Sequence, residues 1–463
     1  MKDLKSNGDI PSSFRDPSGF LFHRDGSIYR QVNITYKENY DHLMNSGLYE
    51  TLVRAELLIP HEEVAIQAAR PDDAYKLIKP EPIPFISYPY EWSFSQLKDA
   101  ALTTLRIQKM SLNFGMSLKD CSAYNIQFRK RRPVLVDTLS FERYRQGKPW
   151  VAYRQFCQHF LAPLALMSYR DVRLSQLLRI YIDGVPLDLA ASLLPVRTRF
   201  VSSLFAHIHL HARSQKHFAD KRGDTGRYRI GRFRFLGLID NLESAIRRLK
   251  WRPLGTEWAE YYQETNYSSD ALQHKKQIVS EFLDYLNPKN VWDLGANVGL
   301  FSRIASDKEI ETISFDIDPA AVERNYLECV ARGEIRILPL LLDLTNPSPG
   351  IGWENQERMS IQDRGPADTV LALALVHHLA ISNNVPLARI ADFFSSICNS
   401  LIIEFVPKSD SQVQRLLASR EDIFDDYTQP VFEHQFGKYF KIRSRVRIRE
   451  SDRILYLMQR CEV

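Results

Sequence analysis

Two acidic residues in the C-terminal half of the chain follow short apolar runs that end beside turns. Asp293 closes the first run and is followed by a turn with glycines at positions 295 and 299. The second run, Glu311 to Phe315, ends in Asp316, 21 residues after Gly295. In Rossmann-type sheets, an acidic residue at this distance from a glycine-containing turn binds the hydroxyls of a cofactor ribose. The pattern therefore predicts a cofactor cleft at the ends of these two strands.

The chemistry of the turn distinguishes between cofactors. A dinucleotide fold uses G-x-G-x-x-G so that backbone amides can approach a pyrophosphate, whereas this turn reads D-x-G-x-N-x-G. S-adenosylmethionine carries an amine, a carboxylate and a sulfonium cation, so Asp293 can help hold its amino-acid end, and Gly295 lets the backbone come close. The segment resembles motif I of class I methyltransferases, which implies S-adenosylmethionine as the cofactor; the alternative is a glycine turn in an ordinary α/β domain. The cofactor-binding residues that follow from this are Asp293, Gly295, Asn297, Gly299 and Asp316.

Strands and helical segments alternate through the rest of this half. A mostly apolar run at residues 335–342 precedes Asp343, which the resemblance implies to lie near the adenine amino group. The alternation predicts an α/β fold, a doubly wound Rossmann-like sheet over residues 255–463. Its other predicted strands are Asp368 to Leu375, Leu401 to Val406, and an antiparallel terminal pair at Arg447 to Glu450 and Arg453 to Met458, and its predicted helices include Pro319 to Ala331 and Val385 to Cys398.

Length and composition limit the class of protein. At 463 residues the chain is too long for one core and suggests two or three domains. Its 44% hydrophobic and 25% charged residues are ordinary for a globular protein, and the net charge of +5 does not by itself predict nucleic acid binding. The start of the chain is polar and no run of 18 apolar residues occurs, so we expect a cytoplasmic protein without a membrane span. The five cysteines are scattered, which indicates neither a disulfide framework nor a zinc site.

A basic cluster lies near the middle of the chain. It could contact phosphates or an acidic glycan, but solvated loops or strand faces are favoured because aromatic residues are sparse there. Its members are Arg213, Lys216, Lys221, Arg222, Arg227, Arg229, Arg232 and Arg234.

The histidine triplet His207, His209 and His211 would place three imidazoles on one face of a strand, but not of a helix. The flanking residues favour a helix end, and no carboxylate or cysteine partner lies nearby in the sequence. No metal site is therefore predicted.

The N-terminal half carries a second pattern. Three polar residues follow the order used by protein kinases and small-molecule phosphotransferases. They are Asp120, Asn125 five residues later, and Asp137 at the end of an apolar run. In this resemblance Asp120 matches the catalytic-loop base, Asn125 a magnesium ligand and Asp137 the metal-binding aspartate. It implies an α+β two-lobe region with a small lobe at residues 1–90 and a mainly helical lobe at 91–245. The predicted elements are a hairpin at residues 20–36, a hinge strand at Ile86 to Glu91 and a long helix at Phe94 to Met110.

The kinase-like pattern departs from the family at several positions. Leu118 replaces the catalytic-loop histidine, Leu139 replaces the glycine of the metal motif, and no V-A-I-K lysine is evident, although Lys37 could be a displaced substitute. Without a lysine on the nucleotide phosphates, a kinase loses part of its electrostatic clamp. Three interpretations remain: a kinase-like fold without phosphate transfer, a working small-molecule kinase that binds ATP and magnesium, and chance similarity.

Residues on the acceptor side of the methyltransferase-like cleft include two adjacent histidines. His377 and His378 follow the fourth predicted strand, where they could serve as a catalytic base or simply cap the strand. A histidine with the ordinary pKa near 6.5 predicts a rate that rises with pH and levels off above neutrality. The N-P-P-Y signature of amide methylation is missing, so an oxygen acceptor is favoured. Segments expected to shape the pocket, or merely to pack, are Tyr261, Tyr262, Tyr267, Lys275, Gly350 to Arg358 and Glu404 to Lys408.

Together the two halves resemble the family of the rhizobial host-specific nodulation protein NoeA. The passages that carry this resemblance are Trp292 to Phe301, Asn346 to Trp353, Leu371 to Pro386 and Ile402 to Lys408. It implies a role in host-range or cell-surface signalling. With the oxygen acceptor favoured above, the predicted function is a methyltransferase that acts on a hydroxyl of a small-molecule, cell-surface or nodulation-related acceptor. Two alternatives are a bifunctional kinase-methyltransferase and a protein that senses the cofactor while a pseudokinase half recruits a partner.

Overall fold

The computed structural model describes residues 8–211, 231–253, 267–418 and 420–461. The chain divides into two compact units. Unit 1 consists of Met1–Arg252 and Gly350–Arg358, and unit 2 of Pro253–Pro349 and Met359–Val463. The segment Gly350–Arg358 was expected to shape the cofactor pocket. It belongs to unit 1 instead, where Glu357 forms an ion pair with Arg15.

Unit 1 begins with a five-stranded antiparallel sheet in the order β1-β2-β3-β5-β4. The predicted hairpin is formed by β2 and β3, which are joined at Asp25-Gly26 with φ values of +48° and +72°. Aspartate and glycine tolerate this left-handed conformation, which a two-residue hairpin turn requires. The strands are β1 (Gly8–Asp9), β2 (Gly19–Arg24), β3 (Ser27–Asn33), β4 (His61–Glu63) and β5 (Ala74–Pro80).

The remainder of unit 1 is mainly helical, with two small two-stranded antiparallel sheets. The predicted long helix spans Phe94–Asn113 and is capped by Ser93, whose side chain accepts from the backbone N–H of Gln96. The predicted hinge strand is wrong: Pro89–Glu91 is a 3₁₀ turn, because Pro89 has no backbone donor and Glu91 bonds back to Tyr88. The strands are β6 (Met116–Leu118), β7 (Ile126–Arg129), β8 (Arg132–Leu135) and β9 (Phe141–Arg143). The α-helices of unit 1 are Lys37–Asn45, Leu48–Arg54, Phe94–Asn113, Tyr153–Phe156, Ala162–Tyr169, Leu177–Ile180, Leu187–Leu193, Ser202–Leu204 and Arg232–Arg248.

Unit 2 contains a seven-stranded sheet in the order β12-β11-β10-β13-β14-β16-β15. The first five strands in this order are parallel, and β16 lies antiparallel between β14 and β15. The predicted doubly wound sheet is confirmed. The order in which the chain adds strands reverses at β10: β11 and β12 lie on one side of it and β13 and β14 on the other. Such sheets open a cleft at this switch point. The strands are β10 (Asn290–Leu294), β11 (Glu311–Asp316), β12 (Ile337–Leu341), β13 (Ala367–Ala372), β14 (Cys398–Phe405), β15 (Phe440–Arg447) and β16 (Ile454–Arg460).

The terminal antiparallel pair differs from its prediction in one respect. Its first strand, β15, ends at Arg447 instead of beginning there, and residues 448–450 lie between the two strands. The reason is that β15, after the buried Phe440, alternates exposed and half-buried residues at one edge of the sheet, which gives it no continuous apolar run. The α-helices of unit 2 are Ser269–Leu286, Leu300–Ser306, Pro319–Arg332, Leu387–Ile397, Ser411–Leu417 and Gln429–Gly437.

The helix Ser269–Leu286 packs on the parallel strands through one apolar face. Ile278 and Val279 contribute to a buried cluster that also contains Val291 of β10 and Phe301 of the following helix. This packing fixes the turn between β10 and that helix. None of the described helices combines the length and the hydropathy needed to cross a bilayer.

Candidate cofactor and acceptor site

The turn after β10 lies at the carboxyl edge of the sheet. The backbone N–H groups of Gly295 and Ala296 both donate to the carbonyl of Phe315 on β11, at 2.9 Å. Gly295, Asn297 and Gly299 have φ values of +74°, +52° and +80°. A Cβ at Gly299 would lie 2.6 Å from side-chain atoms of Asn325, so both conformation and space require glycine there. The turn therefore allows a ligand to approach its backbone closely.

Asp316 ends β11 with its carboxylate held in place by backbone donors. One oxygen accepts the N–H of Asn297 at 2.7 Å and the other accepts the N–H of Asp318 at 2.9 Å. Burial raises the pKa of Asp316 to about 6. Each carboxylate oxygen has a second lone pair, so the group can still accept from two adjacent hydroxyls, as a ribose presents.

Asp293 lies on β10 beside the turn and is 2% exposed. Its carboxylate accepts the hydroxyl of Ser302 at 2.6 Å. Burial raises the pKa of Asp293 to about 7, and the nearby charge of Asp316 adds to this effect. A cation bound here would favour the ionised form, so the position suits the amine of an amino acid.

Asp343 follows β12 by two residues, on the strand that neighbours β11. Its Oδ1 accepts the backbone N–H and the hydroxyl of Thr345 at 2.8 and 2.6 Å. This local turn fixes the carboxylate at the same edge of the sheet as Asp316. The structure therefore brings the three acidic residues to adjacent strand ends.

His377 and His378 lie five and six residues beyond the end of β13, and not at the strand end itself. The strand stops at Ala372 because the chain turns at Ala374, whose φ is +49°. His377 is fully buried, and neither of its ring nitrogens has a hydrogen-bond partner within the described part of the chain. His378 begins a π-helical turn, and its ring centroid lies 4.1 Å from that of His377.

Both histidines are held neutral at physiological pH. Burial lowers the pKa of His377 well below its ordinary value, with further lowering by the charges of His378, Arg453 and Lys275. Burial, together with the charge of Arg453, lowers the pKa of His378 to about 4. A neutral imidazole can accept a proton, so either ring is in the form that a base requires.

A buried set of charges adjoins these histidines, and sequence analysis identified only part of it. Lys275 and Glu404 were expected near the pocket and form an ion pair of 2.7 Å. Arg453 and Asp410, which form a second buried pair at 2.7 Å, were missed. They lie 43 residues apart, and no local sequence pattern indicates that they form a pair. Of the other expected pocket residues, Tyr267 donates to Glu404, whereas Tyr261 and Tyr262 lie outside the described residues.

The kinase-like residues of unit 1 also come together. Asn125 donates to the Ser140 hydroxyl at 3.5 Å, and that hydroxyl donates to Asp137 at 2.7 Å. Asp120 accepts from Ser122 N–H and Gln155 at 2.8 Å, and burial raises its pKa.

Asp137 is paired with an arginine that sequence analysis did not identify. Arg30, on β3, forms a buried ion pair with the Asp137 carboxylate. Burial alone would raise the pKa of Asp137, but Arg30 and the bonds from Ser140 and Leu139 bring it below its ordinary value. Lys37, the possible displaced phosphate lysine, has its ammonium 5.2 Å from the centre of the Tyr75 ring.

The histidine triplet is helical, as predicted: His207 and His209 lie in a π-helical turn at Phe205–Leu210, and His211 follows it. His207 contacts the hydroxyl of Tyr153 at 2.7 Å, and His209 contacts that of Thr198 at 2.9 Å. Their rings thus point to different partners. Of the basic cluster, Arg232 and Arg234 begin the helix Arg232–Arg248, and the other members lie outside the described residues.

Comparison with known proteins gives one extensive match. The nodulation protein NoeA of Rhizobium meliloti (strain 1021) is 36% identical over 464 aligned positions, which cover 98% of this chain and 97% of that protein. No family model matches.

Similar solved structures include the N-methyltransferase NodS of Bradyrhizobium japonicum WM9, with 12% identity, a TM-score of 0.31, and coverage of 42% of this chain and 99% of NodS. A SAM dependent methyltransferase from Aquifex aeolicus has 12% identity, a TM-score of 0.31, and coverage of 46% and 100%. The bifunctional kinase-methyltransferase WbdD has 14% identity and a TM-score of 0.29, and the match spans 45% of this chain and less than half, 43%, of WbdD. These TM-scores are too low to assign a function.

Proposed function

The chain belongs to the family of the nodulation protein NoeA, and from that premise we propose that unit 2 is a class I methyltransferase that uses S-adenosylmethionine. One observation carries the proposal: Asp293 and Asp316 lie at the ends of adjacent parallel strands beside a turn with three left-handed residues. The antiparallel strand pair at one edge of the sheet is also what the resemblance to class I methyltransferases implies. An ordinary α/β domain has no need to bury two carboxylates side by side, since each loses its hydration.

The residues suit the separate parts of this cofactor. Asp316 would accept the two ribose hydroxyls, Asp293 would bind the amine, and Asp343 would lie at the adenine side. Gly295, Asn297 and Gly299 form the turn that lets the backbone approach. S-adenosylmethionine supplies a methyl group activated by its positive sulfur.

The acceptor side is proposed to deprotonate a hydroxyl. In-line transfer to the methyl group requires the acceptor oxygen to be positioned, and a base within hydrogen-bond reach takes its proton. A ring nitrogen of His377 or His378 would receive that proton, since burial keeps both rings neutral. An acceptor hydroxyl of a small or cell-surface molecule is consistent with this base and with the nodulation relative.

The test is calorimetry with S-adenosylmethionine, followed by transfer of its tritiated methyl group into fractionated cell-surface extracts. We expect saturable binding and label in at least one fraction. Absence of binding by the full chain would contradict the cofactor assignment, and binding without transfer into any fraction would favour the cofactor-sensing alternative.

For unit 1 we propose a kinase-like module that does not transfer phosphate at a useful rate. In protein kinases a lysine contacts the nucleotide phosphates, and the metal-motif aspartate binds magnesium. Here β3 carries Arg30, and its guanidinium forms an ion pair with the Asp137 carboxylate. The aspartate proposed as the metal ligand is therefore already neutralised, which disfavours the bifunctional alternative.

A further inference from the structure

Glu404 is the centre of a buried hydrogen-bonded network in unit 2. It lies one residue before the end of β14 and is fully buried. Its carboxylate accepts from the ammonium of Lys275 at 2.7 Å and from the hydroxyl of Tyr267, and Arg453 lies 3.8 Å away. Burial alone would raise the pKa of Glu404, but Lys275 and Arg453 outweigh it and lower the pKa. The glutamate is therefore ionised.

The same carboxylate also holds the chain that leads to the histidines. Glu404 Oε2 accepts the backbone N–H of Ala374 at 2.7 Å. Ala374 has a φ of +49°, a conformation that an alanine keeps only where its surroundings enforce it. Two residues of β13 precede this turn, Leu371 and Ala372, and both are fully buried. The bond from Ala374 to Glu404 thus fixes the direction in which the chain leaves the strand.

His377 depends on this backbone for its position. Its ring is buried, but within the described residues neither ring nitrogen is held by a hydrogen bond. The turn is closed by the N–H of His378, which donates to the carbonyl of Leu375 at 3.0 Å. A displacement at Ala374 would therefore be transmitted directly to the ring.

The charges around His377 are connected to the same glutamate. The charged or titratable groups that act on this ring are His378, Arg453 and Lys275, and each disfavours its protonation. Glu404 is the carboxylate that compensates Lys275 and lies close to Arg453. Burying such a set of charges is costly unless every member is paired, and sets of this kind concentrate at functional sites.

We propose that Glu404 is a positioning residue for methyl transfer: it fixes the histidine-bearing turn through Ala374 and balances the cations beside His377. This inference rests on the proposed function of unit 2. Glu404 acts through His377 and has no direct contact with the reacting atoms.

The test compares Glu404→Gln with Lys275→Met. Glutamine keeps an oxygen that can accept the Ala374 N–H but loses the charge, whereas methionine removes one cation and leaves Glu404 in place. Glu311→Gln serves as the matched control, because it breaks the Glu311–Arg336 ion pair of 3.0 Å at the opposite end of β11. For each protein, calorimetry measures S-adenosylmethionine binding, tritium incorporation into the accepting fraction measures turnover, and the ε1 proton resonance of His377 is followed against pH by NMR.

We expect Glu404→Gln to bind S-adenosylmethionine within about twofold of wild type and to lose about tenfold or more in turnover. The His377 titration should move to higher pH in Lys275→Met, because a cation is lost, and to lower pH in Glu404→Gln, because an anion is lost. A purely structural role would not shift the titration in opposite directions. Turnover of Glu404→Gln at the wild-type or control level, or equal titrations in all proteins, would overturn the inference. Failure of the wild-type protein to bind S-adenosylmethionine would instead refute the proposed function, and this inference with it.

Discussion

At the scale of single residues, burial has opposite effects on the two kinds of titratable group at the candidate site. It raises the pKa of Asp293 to about 7 and that of Asp316 to about 6, because the charged carboxylate is disfavoured. It lowers the pKa of His377 and His378, because their charged form is the protonated one. Near neutral pH, the carboxylates can therefore bind a cationic cofactor, and both imidazoles are unprotonated.

The first prediction concerns Asp316, whose carboxylate faces the proposed ribose. In Asp316→Asn one oxygen remains to accept from the backbone, but the charge-assisted bonds to the hydroxyls weaken. Binding of S-adenosylmethionine should weaken by about 1.5–3 kcal/mol for each such bond lost. Calorimetry gives the affinity, and circular dichroism controls for folding. Wild-type affinity in the folded variant would remove the ribose assignment.

The second prediction concerns the pH dependence of cofactor binding. Below a pKa of about 7 Asp293 is mostly protonated, and a cationic amine binds its ionised form. Affinity for S-adenosylmethionine should therefore rise on the order of tenfold between pH 5.5 and 7.5, with release of a proton on binding. Calorimetry in two buffers of different ionisation enthalpy measures that proton. A flat profile in the wild-type protein, or an unchanged slope in Asp293→Asn, would show that Asp293 is not the amine ligand.

The third prediction concerns the two histidines and replaces the expectation of a rate that rises up to neutrality. A base must be neutral, and the pKa of His378 is lowered to about 4. Turnover should thus be level from about pH 5.5 to 8 and fall only as the pH approaches that value. The residue that acts as base should lose about 10²–10⁴-fold in turnover when changed to glutamine, with cofactor affinity retained. Should both variants keep wild-type turnover, the pair serves only to cap the turn.

At the scale of elements, the local pattern of the sequence was sufficient to predict the strand ends beside which the cofactor is proposed to bind. The ends of β10 and β11 were predictable because an apolar run, an acidic residue and a glycine turn follow one another within a few residues. The position of the histidines was not, because β13 ends early at Ala372 through a bond from Ala374 to Glu404. That bond joins residues 30 positions apart, which no local pattern indicates.

The fourth prediction tests whether the turn is constrained by packing as well as by conformation. Gly299 and Gly333 both have positive φ, but only at Gly299 would a Cβ meet other atoms, with Asn325 side-chain atoms at 2.6 Å. Gly333→Ala should lower the free energy of unfolding by about 1 kcal/mol for its conformation alone. Gly299→Ala should lower it by about 2–4 kcal/mol, because contact is added. Urea denaturation measures both, and equal losses would mean that Asn325 moves aside without cost.

At the scale of the whole molecule, the interactions that characterise each unit join distant parts of the chain. Lys275 and Glu404 are 129 residues apart, and Arg30 and Asp137 are 107 apart. A single sequence shows that each residue is charged, but not which partner it meets after folding. For this reason Asp137 was recognised from its spacing and Lys275 and Glu404 were each expected near the pocket, whereas the pairing of Arg30 with Asp137 and of Lys275 with Glu404 was found only in the structure.

The last prediction follows from the pair in unit 1. A magnesium ion bound to Asp137 would have to displace Arg30, whose ion pair is buried and supported by the bonds from Ser140 and Leu139. Separating such a pair leaves a guanidinium without its partner in a site of low polarity, which is strongly unfavourable. We therefore expect that labelled ATP with magnesium and cell extract gives no more phosphate incorporation with wild-type protein than with Asp137→Ala.

Asp25→Ala, at the exposed β2–β3 turn, serves as the control for loss of a carboxylate elsewhere in unit 1. Incorporation that is present in the wild-type and Asp25→Ala proteins but lost in Asp137→Ala would contradict the prediction. It would mean that Arg30 leaves the aspartate when nucleotide binds, and that the chain combines phosphate transfer with methyl transfer. If all three proteins remain at background, the prediction holds, and the Arg30–Asp137 pair is a fixed part of the fold.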